Sequence, residues 1–307
     1  MGEIVNQIKL AKAAYDSVQD LLKGKYSYGI EVRTNIDPDS YQIKQSVESL
    51  TNAMKVWSHF YKTEVPLVFV SVDENGRQFL YEQLESLNFL DAMPKDDKWN
   101  EHVAHTIFGS GGATLVDDKL TLLYWQVLGS KNLFTGTGNL KTGPHLFTHA
   151  IQGALYANHQ VSQTDLPAWF VEGQADFLGL ISNSSSFEEY WKHRIDFFRT
   201  AFVPGGDEVR LKLANYSIED WEQSLLNSPE KFDGIPLIDE YYTGLLAYEY
   251  LIYILGAKDV MDLYEEFIHA DSLYSLIEKY CNVTKHELAN TLAPMLYDLG
   301  KSIYAQR

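Results

Sequence analysis

The sequence predicts an α+β protein: a front half that mixes helices with a small sheet, then a rear half that is entirely helical. Three observations carry this. Residues 65–72 (VPLVFVSV) and 108–127 are dense in β-branched and aromatic residues, as strands are. Apolar residues at helical spacing lie before and between those runs. From residue 142 onward strand-like runs nearly vanish and helical spacing takes over. At 307 residues the chain is long enough for two modest domains or one bilobal unit.

Taken in order, Ile4, Ile8, Ala11, Tyr15, Val18 and Leu22 predict a helix over 3–23 that Gly24 stops. Residues 26–33 alternate and read as a strand. Asp37-Pro38-Asp39 opens a helix expected to reach about residue 63. The strand at 65–72 follows, then a helix over 76–84. The stretch FGSGGATLVDDKLTLLYWQV reads as two strands joined by a turn at Asp117-Asp118. Its glycines, Gly109, Gly111 and Gly112, are not a phosphate loop, because no GK[ST] follows and no helix opens after them. They read as flexible backbone beside an edge strand. Helices are then expected at 144–158, 167–181, 187–201, 217–226, 241–255, 259–269, 272–280 and 285–304. Pro167 suits a first turn, Thr284 and Glu287 form a capping box, and Pro294 is expected to kink the last helix. The expected division is an N-terminal helix at 1–25, an α/β lobe at 26–140 and a helical lobe at 141–307.

A formal charge of −17 repels phosphate backbones and anionic lipid, which argues against nucleic acid and membrane surfaces as partners. Cys281 is the only cysteine, so an intrachain disulfide and a cysteine-based zinc site are both excluded. No run of eighteen apolar residues exists, so no membrane span is expected. The N-terminus is amphipathic and lacks the apolar core of a signal peptide. Location stays open.

Chemistry concentrates in GPHLFTHAIQ and LPAWFVEGQADFLG. His145 and His149 are four residues apart, a spacing that puts both imidazoles on one helix face, able to share a metal. Glu172 on the next helix can supply a third ligand. Asp176 lies one turn further on the same face, where it can accept the second N–H of a ligating histidine. A histidine pair alone is a weak signal, since surface and core pairs share that spacing. The joint pattern on consecutive helices is what lifts it. His102 and His105 are three apart with no matching carboxylate helix and read as surface residues.

These residues resemble the gluzincin family of zinc metallopeptidases. His145-Leu146-Phe147-Thr148-His149-Ala150-Ile151-Gln152 is similar to the family's HExxHxxQ-like helix. Trp169-Phe170-Val171-Glu172-Gly173-Gln174-Ala175-Asp176 is similar to its WxxEGxAD-like helix. The resemblance covers most of the chain from about Tyr26. It implies a zincin-like fold, with a mixed N-terminal sheet lobe, an all-helical C-terminal lobe and the site in the cleft. It implies one Zn2+ held by His145, His149 and Glu172, with Asp176 behind them. GATLVDDKLTLLY would be the substrate-binding edge strand, and Tyr242, or its neighbour Tyr241, a hydrogen-bond donor to an oxyanion. The sequence departs from the pattern at Leu146, where the family carries its general-base glutamate.

Leucine accepts no proton, and loss of a general base costs roughly 10²–10⁴ in rate. Three readings follow. In the first, the chain is a degenerate peptidase with weak or no hydrolysis, used to bind a peptide or protein. In the second, it is an active zinc metallopeptidase whose base comes from elsewhere, such as Glu101, Asp165 or the substrate. In the third, it is a structural protein with an empty site.

Overall fold

The computed structural model describes residues 7–25, 29–60, 66–104, 107–117, 119–129, 137–159, 166–199, 215–229, 238–267, 270 and 272–304. Its architecture is α+β, with twelve α-helices and one four-stranded mixed sheet among the described residues. The chain divides into two compact units, Leu22–Gln160 with Leu178–Asn183, and Met1–Leu21 with Val161–Phe177 and Ser184–Arg307.

The first unit is built on β1 (Ile30–Thr34), β2 (Leu67–Val72), β3 (Ile107–Val116) and β4 (Lys119–Leu128), in the order β1-β2-β4-β3. β1 and β4 flank β2 in parallel, and β3 closes one edge antiparallel to β4. Every residue of β2 is buried, as expected for a central strand covered on both faces. On one face Val68, Val70, Val72, Leu123, Trp125 and Val127 pack with Leu80 and Leu84 of α3 (Arg77–Ser86) and Trp99 of α4 (Asp96–Ala104). The other face is more polar. Phe69 stacks on Tyr124 at 5.3 Å, and Gln126 donates to Ser71 Oγ at 2.9 Å while accepting from Tyr124 OH at 2.7 Å. The sheet and its antiparallel hairpin agree with the sequence. Val116 pairs with Lys119, and Asp117 takes a positive φ of 49°, as two-residue hairpin connections favour. Asp118 lies outside the described residues, as do 26–28 and Val65, where two strands were expected to begin.

Four details differ from expectation. α2 (Tyr41–Trp57) opens just after Asp37-Pro38-Asp39 and ends at Trp57, short of residue 63; Ser40 caps it, its hydroxyl accepting from the Ile43 amide, while Asp37 closes the preceding turn by accepting from Asp39 N. α4 was not anticipated, because its acidic first turn masks a weak apolar face. α5 (Thr137–His159) starts seven residues before Pro144, so this proline lies inside the helix rather than at its start. Finally, Gly109, Gly111 and Gly112 serve close approach rather than flexibility. A side chain there would strike the Trp125 carbonyl, the Leu146 backbone and the Phe89 ring respectively.

The second unit contains α1 (Gln7–Val18), α7 (Phe187–Arg199), α8 (Ile218–Asn227), α9 (Ile238–Leu255), α10 (Ala257–Phe267), α11 (Leu273–Cys281) and α12 (Lys285–Tyr304). α6 (Ala168–Ile181) contributes residues to both units. α9 is apolar nearly all round and is packed by α1, α8, α10, α11 and α12, as a helix of that composition must be. α1 buries Leu10, Ala11, Ala14, Tyr15 and Val18 and leaves Ile8 half exposed, so its inner face is rotated from the expected one. The expected capping box of α12 is present, with Glu287 N donating to Thr284 Oγ1 at 3.2 Å and Thr284 N donating back at 2.9 Å. Pro294 lies inside α12, which continues to Tyr304. At the centre, Arg194 of α7 forms a bidentate pair with Glu249 of α9, both fully buried, and Tyr190 OH donates to the same carboxylate at 2.6 Å. These units follow contacts rather than chain order. α1 groups with the helices, and α5 groups with the sheet.

Candidate metal centre

α5 delivers both histidines. Pro144 leaves the backbone of the preceding turn one donor short, and Thr148 ties the next turn down. Its hydroxyl donates to the Pro144 carbonyl at 2.8 Å and accepts from Trp57 Nε1 at 3.4 Å. His145 and His149, one turn apart, aim their Nε2 atoms at one another at 3.1 Å, with ring planes 86° apart. Two nitrogens sharing a tetrahedral zinc at about 2.0–2.1 Å sit roughly 3.3 Å apart, so the spacing suits a shared ion. His149 Nδ1 donates to Gln152 Oε1 at 2.8 Å. That bond puts the ring hydrogen on Nδ1 and leaves the Nε2 lone pair for a metal.

α6 delivers the carboxylates. Glu172, Asp176 and Gly179 lie at i, i+4 and i+7, on one helix face. Gly179 is seated on α5, where a Cβ would lie 3.2 Å from Lys141 Cβ and 3.4 Å from His145 Cβ. Glu172 is only 8% exposed and Asp176 is fully buried. Carboxylates that far out of water are tolerated when they are paired, hydrogen-bonded or bound to metal. His145, His149 and Glu172 each offer one ligand atom, and these atoms all lie within 4.8 Å of one another. The three residues could therefore hold a metal ion. Two nitrogen donors and one oxygen donor leave a coordination position to spare on a four-coordinate ion.

Leu146, beside the first histidine, is half-buried, and its backbone packs on Gly111 of β3. Tyr242 is 3% exposed and packs its ring against Phe197 and Phe198 at 5.6 Å. Its neighbour Tyr241 lies in the field of the site's carboxylates. Burial first, then the charges of Glu172, Asp176 and Glu240, hold its phenol well above the usual tyrosine range. The side chains of Glu101 and His102, and all of His105 and Asp165, lie outside the described residues. Sequence reasoning missed the role of Gln152, although its i, i+3 relation to His149 was a readable signal.

Compared with known proteins, the chain matches no family model, no curated protein and no solved structure.

Proposed function

We propose that the protein is a zinc-binding, gluzincin-like domain of zincin-like fold that lacks a general base and serves to bind a peptide or protein with little or no hydrolysis. The observation that carries this reading is the convergence of His145, His149 and Glu172, with ligand atoms within 4.8 Å of one another. Each residue has a chemical task. His149 is oriented by Gln152. Glu172 brings the negative charge that offsets a dication. Asp176, fully buried on the same helix face, adds a second carboxylate to the field. When bound, zinc supplies a Lewis acid that polarises a ligand carbonyl. Tyr241 stays protonated at any physiological pH and is available as a hydrogen-bond donor to an anionic oxygen. Leu146 offers neither a proton nor an acceptor, which removes the group that moves protons in an active peptidase.

Elemental mass spectrometry on protein purified without chelator tests the reading. About one zinc per chain is expected, falling to none in the double variant His145→Ala/His149→Ala. A metal-free wild-type protein that takes up no zinc on titration would leave only a structural role. Hydrolysis of an unstructured protein substrate separates binding from catalysis, since fast zinc-dependent turnover by the wild type would demand a base from elsewhere.

A further inference from the structure

We infer that Gly244 of α9 is a positioning residue for the candidate metal centre, acting through a crossing with Gly173 that has no side chain on either helix. The inference rests on the metal-binding reading above. A Cβ added at Gly173 would collide with the carbonyl and Cα of Gly244. A Cβ added at Gly244 would collide with the Trp169 carbonyl and lie 3.0 Å from Gly173 N and 3.1 Å from its Cα. The two helices therefore touch backbone to backbone, closer than the usual 8–10 Å between helix axes allows once side chains intervene. Glycine inside a helix is destabilising relative to alanine. This cost falls at the residue next to Glu172, one turn before Asp176.

The contacts flanking the crossing fix its register. Tyr241 and Tyr248 lie three residues before and four after Gly244, on the same face of α9. Tyr248 OH accepts from Gln174 Nε2 at 2.9 Å, and both groups are fully buried. Tyr241 lies near enough to Glu172 and Asp176 to feel both charges. The stripe Tyr241–Gly244–Tyr248 thus holds α6 along the turn that carries the metal ligand. A ligand must sit within about 0.2 Å of its ideal distance, so a side chain that pushes α6 away by an ångström withdraws Glu172 from coordination. Gly153 is the natural control, a glycine inside α5 where an added Cβ would meet nothing within 4 Å.

The test compares wild type, Gly244→Ala and Gly153→Ala by competitive zinc titration, the visible absorption of the Co2+ form and thermal unfolding. Gly244→Ala is expected to unfold cooperatively yet bind zinc at least tenfold more weakly, with an altered Co2+ spectrum. Gly153→Ala is expected to match wild type in both metal readouts. Equal zinc affinity and an unchanged spectrum in Gly244→Ala would overturn the inference while leaving the metal reading standing. If wild type binds no metal, the metal reading falls, and a metal-free crystal structure of Gly244→Ala decides the positioning claim. The ligand atoms of His145, His149 and Glu172 must then spread beyond their 4.8 Å, and unchanged spacing overturns it. If Gly244→Ala does not fold, Tyr248→Phe probes the same register by deleting the bond to Gln174. A fall in zinc affinity of a few-fold supports the inference, and none overturns it.

Discussion

On the proposed zinc-binding reading, replacing Leu146 by glutamate should bring peptide hydrolysis to the site. On α5 the next residue after His145 is rotated by about 100°, so a carboxylate there leaves the ligand face but stays beside the shared metal position. The backbone of residue 146 is already held against Gly111, so the change alters the side chain without asking the helix to move. Leu146 is half-buried, and glutamate matches leucine in helix propensity, so the stability cost is the lost apolar burial, about 1–1.5 kcal/mol. A general base is worth 10²–10⁴ in rate, or about 2.7–5.4 kcal/mol of barrier at 1.36 kcal/mol per decade. Hydrolysis of a dye-quenched unstructured protein, with and without zinc, reads the effect. Leu146→Glu should exceed wild type by at least a hundredfold, and Glu172→Gln in the same background should abolish the gain. A variant that folds and binds zinc but hydrolyses no faster would show that more than the base is missing from the machinery.

Three further outcomes are expected. Gln152→Leu removes the acceptor that orients His149 and should weaken zinc roughly 10–100-fold in a chelator competition, with secondary structure unchanged. Arg194→Met strands the buried Glu249 carboxylate and should destabilise the fold by about 3–5 kcal/mol in denaturant titration. Arg194→Met/Glu249→Leu should recover part of that, leaving the Tyr190 hydroxyl without its acceptor. His193, whose Nδ1 meets Ser184 Oγ at 3.1 Å, has its pKa lowered from 6.5, first by burial and then by Lys192, against the opposing charges of Glu189 and Asp196. Its folded pKa lies below its unfolded one, so the unfolded chain binds more protons as pH falls. Stability should therefore decline below about pH 6.5 and decline less steeply in His193→Gln; equal slopes at pH 5.5–7.5 would remove His193 as the cause.

Local physics made part of this legible in the sequence. β2 could be read because a strand covered on both faces is largely apolar, and the Asp117 turn because two-residue hairpin connections favour positive φ, which Asp tolerates. The capping box at Thr284 and Glu287 is a matter of three residues. Elements fixed by distant partners were harder. α4 gained its place from Trp99 packing into the sheet core, and α1 was read with its face rotated because Ile8 is as apolar as Leu10. The three glycines of β3 looked flexible, since nothing in their own segment names the Leu146 backbone or the Phe89 ring as neighbours.

For the candidate site the division is the same. The sequence by itself determined that His145 and His149 share a face and that Glu172 and Asp176 share another, because 3.6 residues per turn is a property of one helix. It also determined that no base stands at Leu146. Only the tertiary structure decided that the two faces bring three ligand atoms within 4.8 Å, that Gln152 holds His149, and that Tyr241 feels the carboxylates. The physical reason is that helix periodicity fixes direction along one element, whereas distance between elements is set by what packs at their crossings. Here those crossings are glycines, which leave no side-chain pattern in the sequence to read.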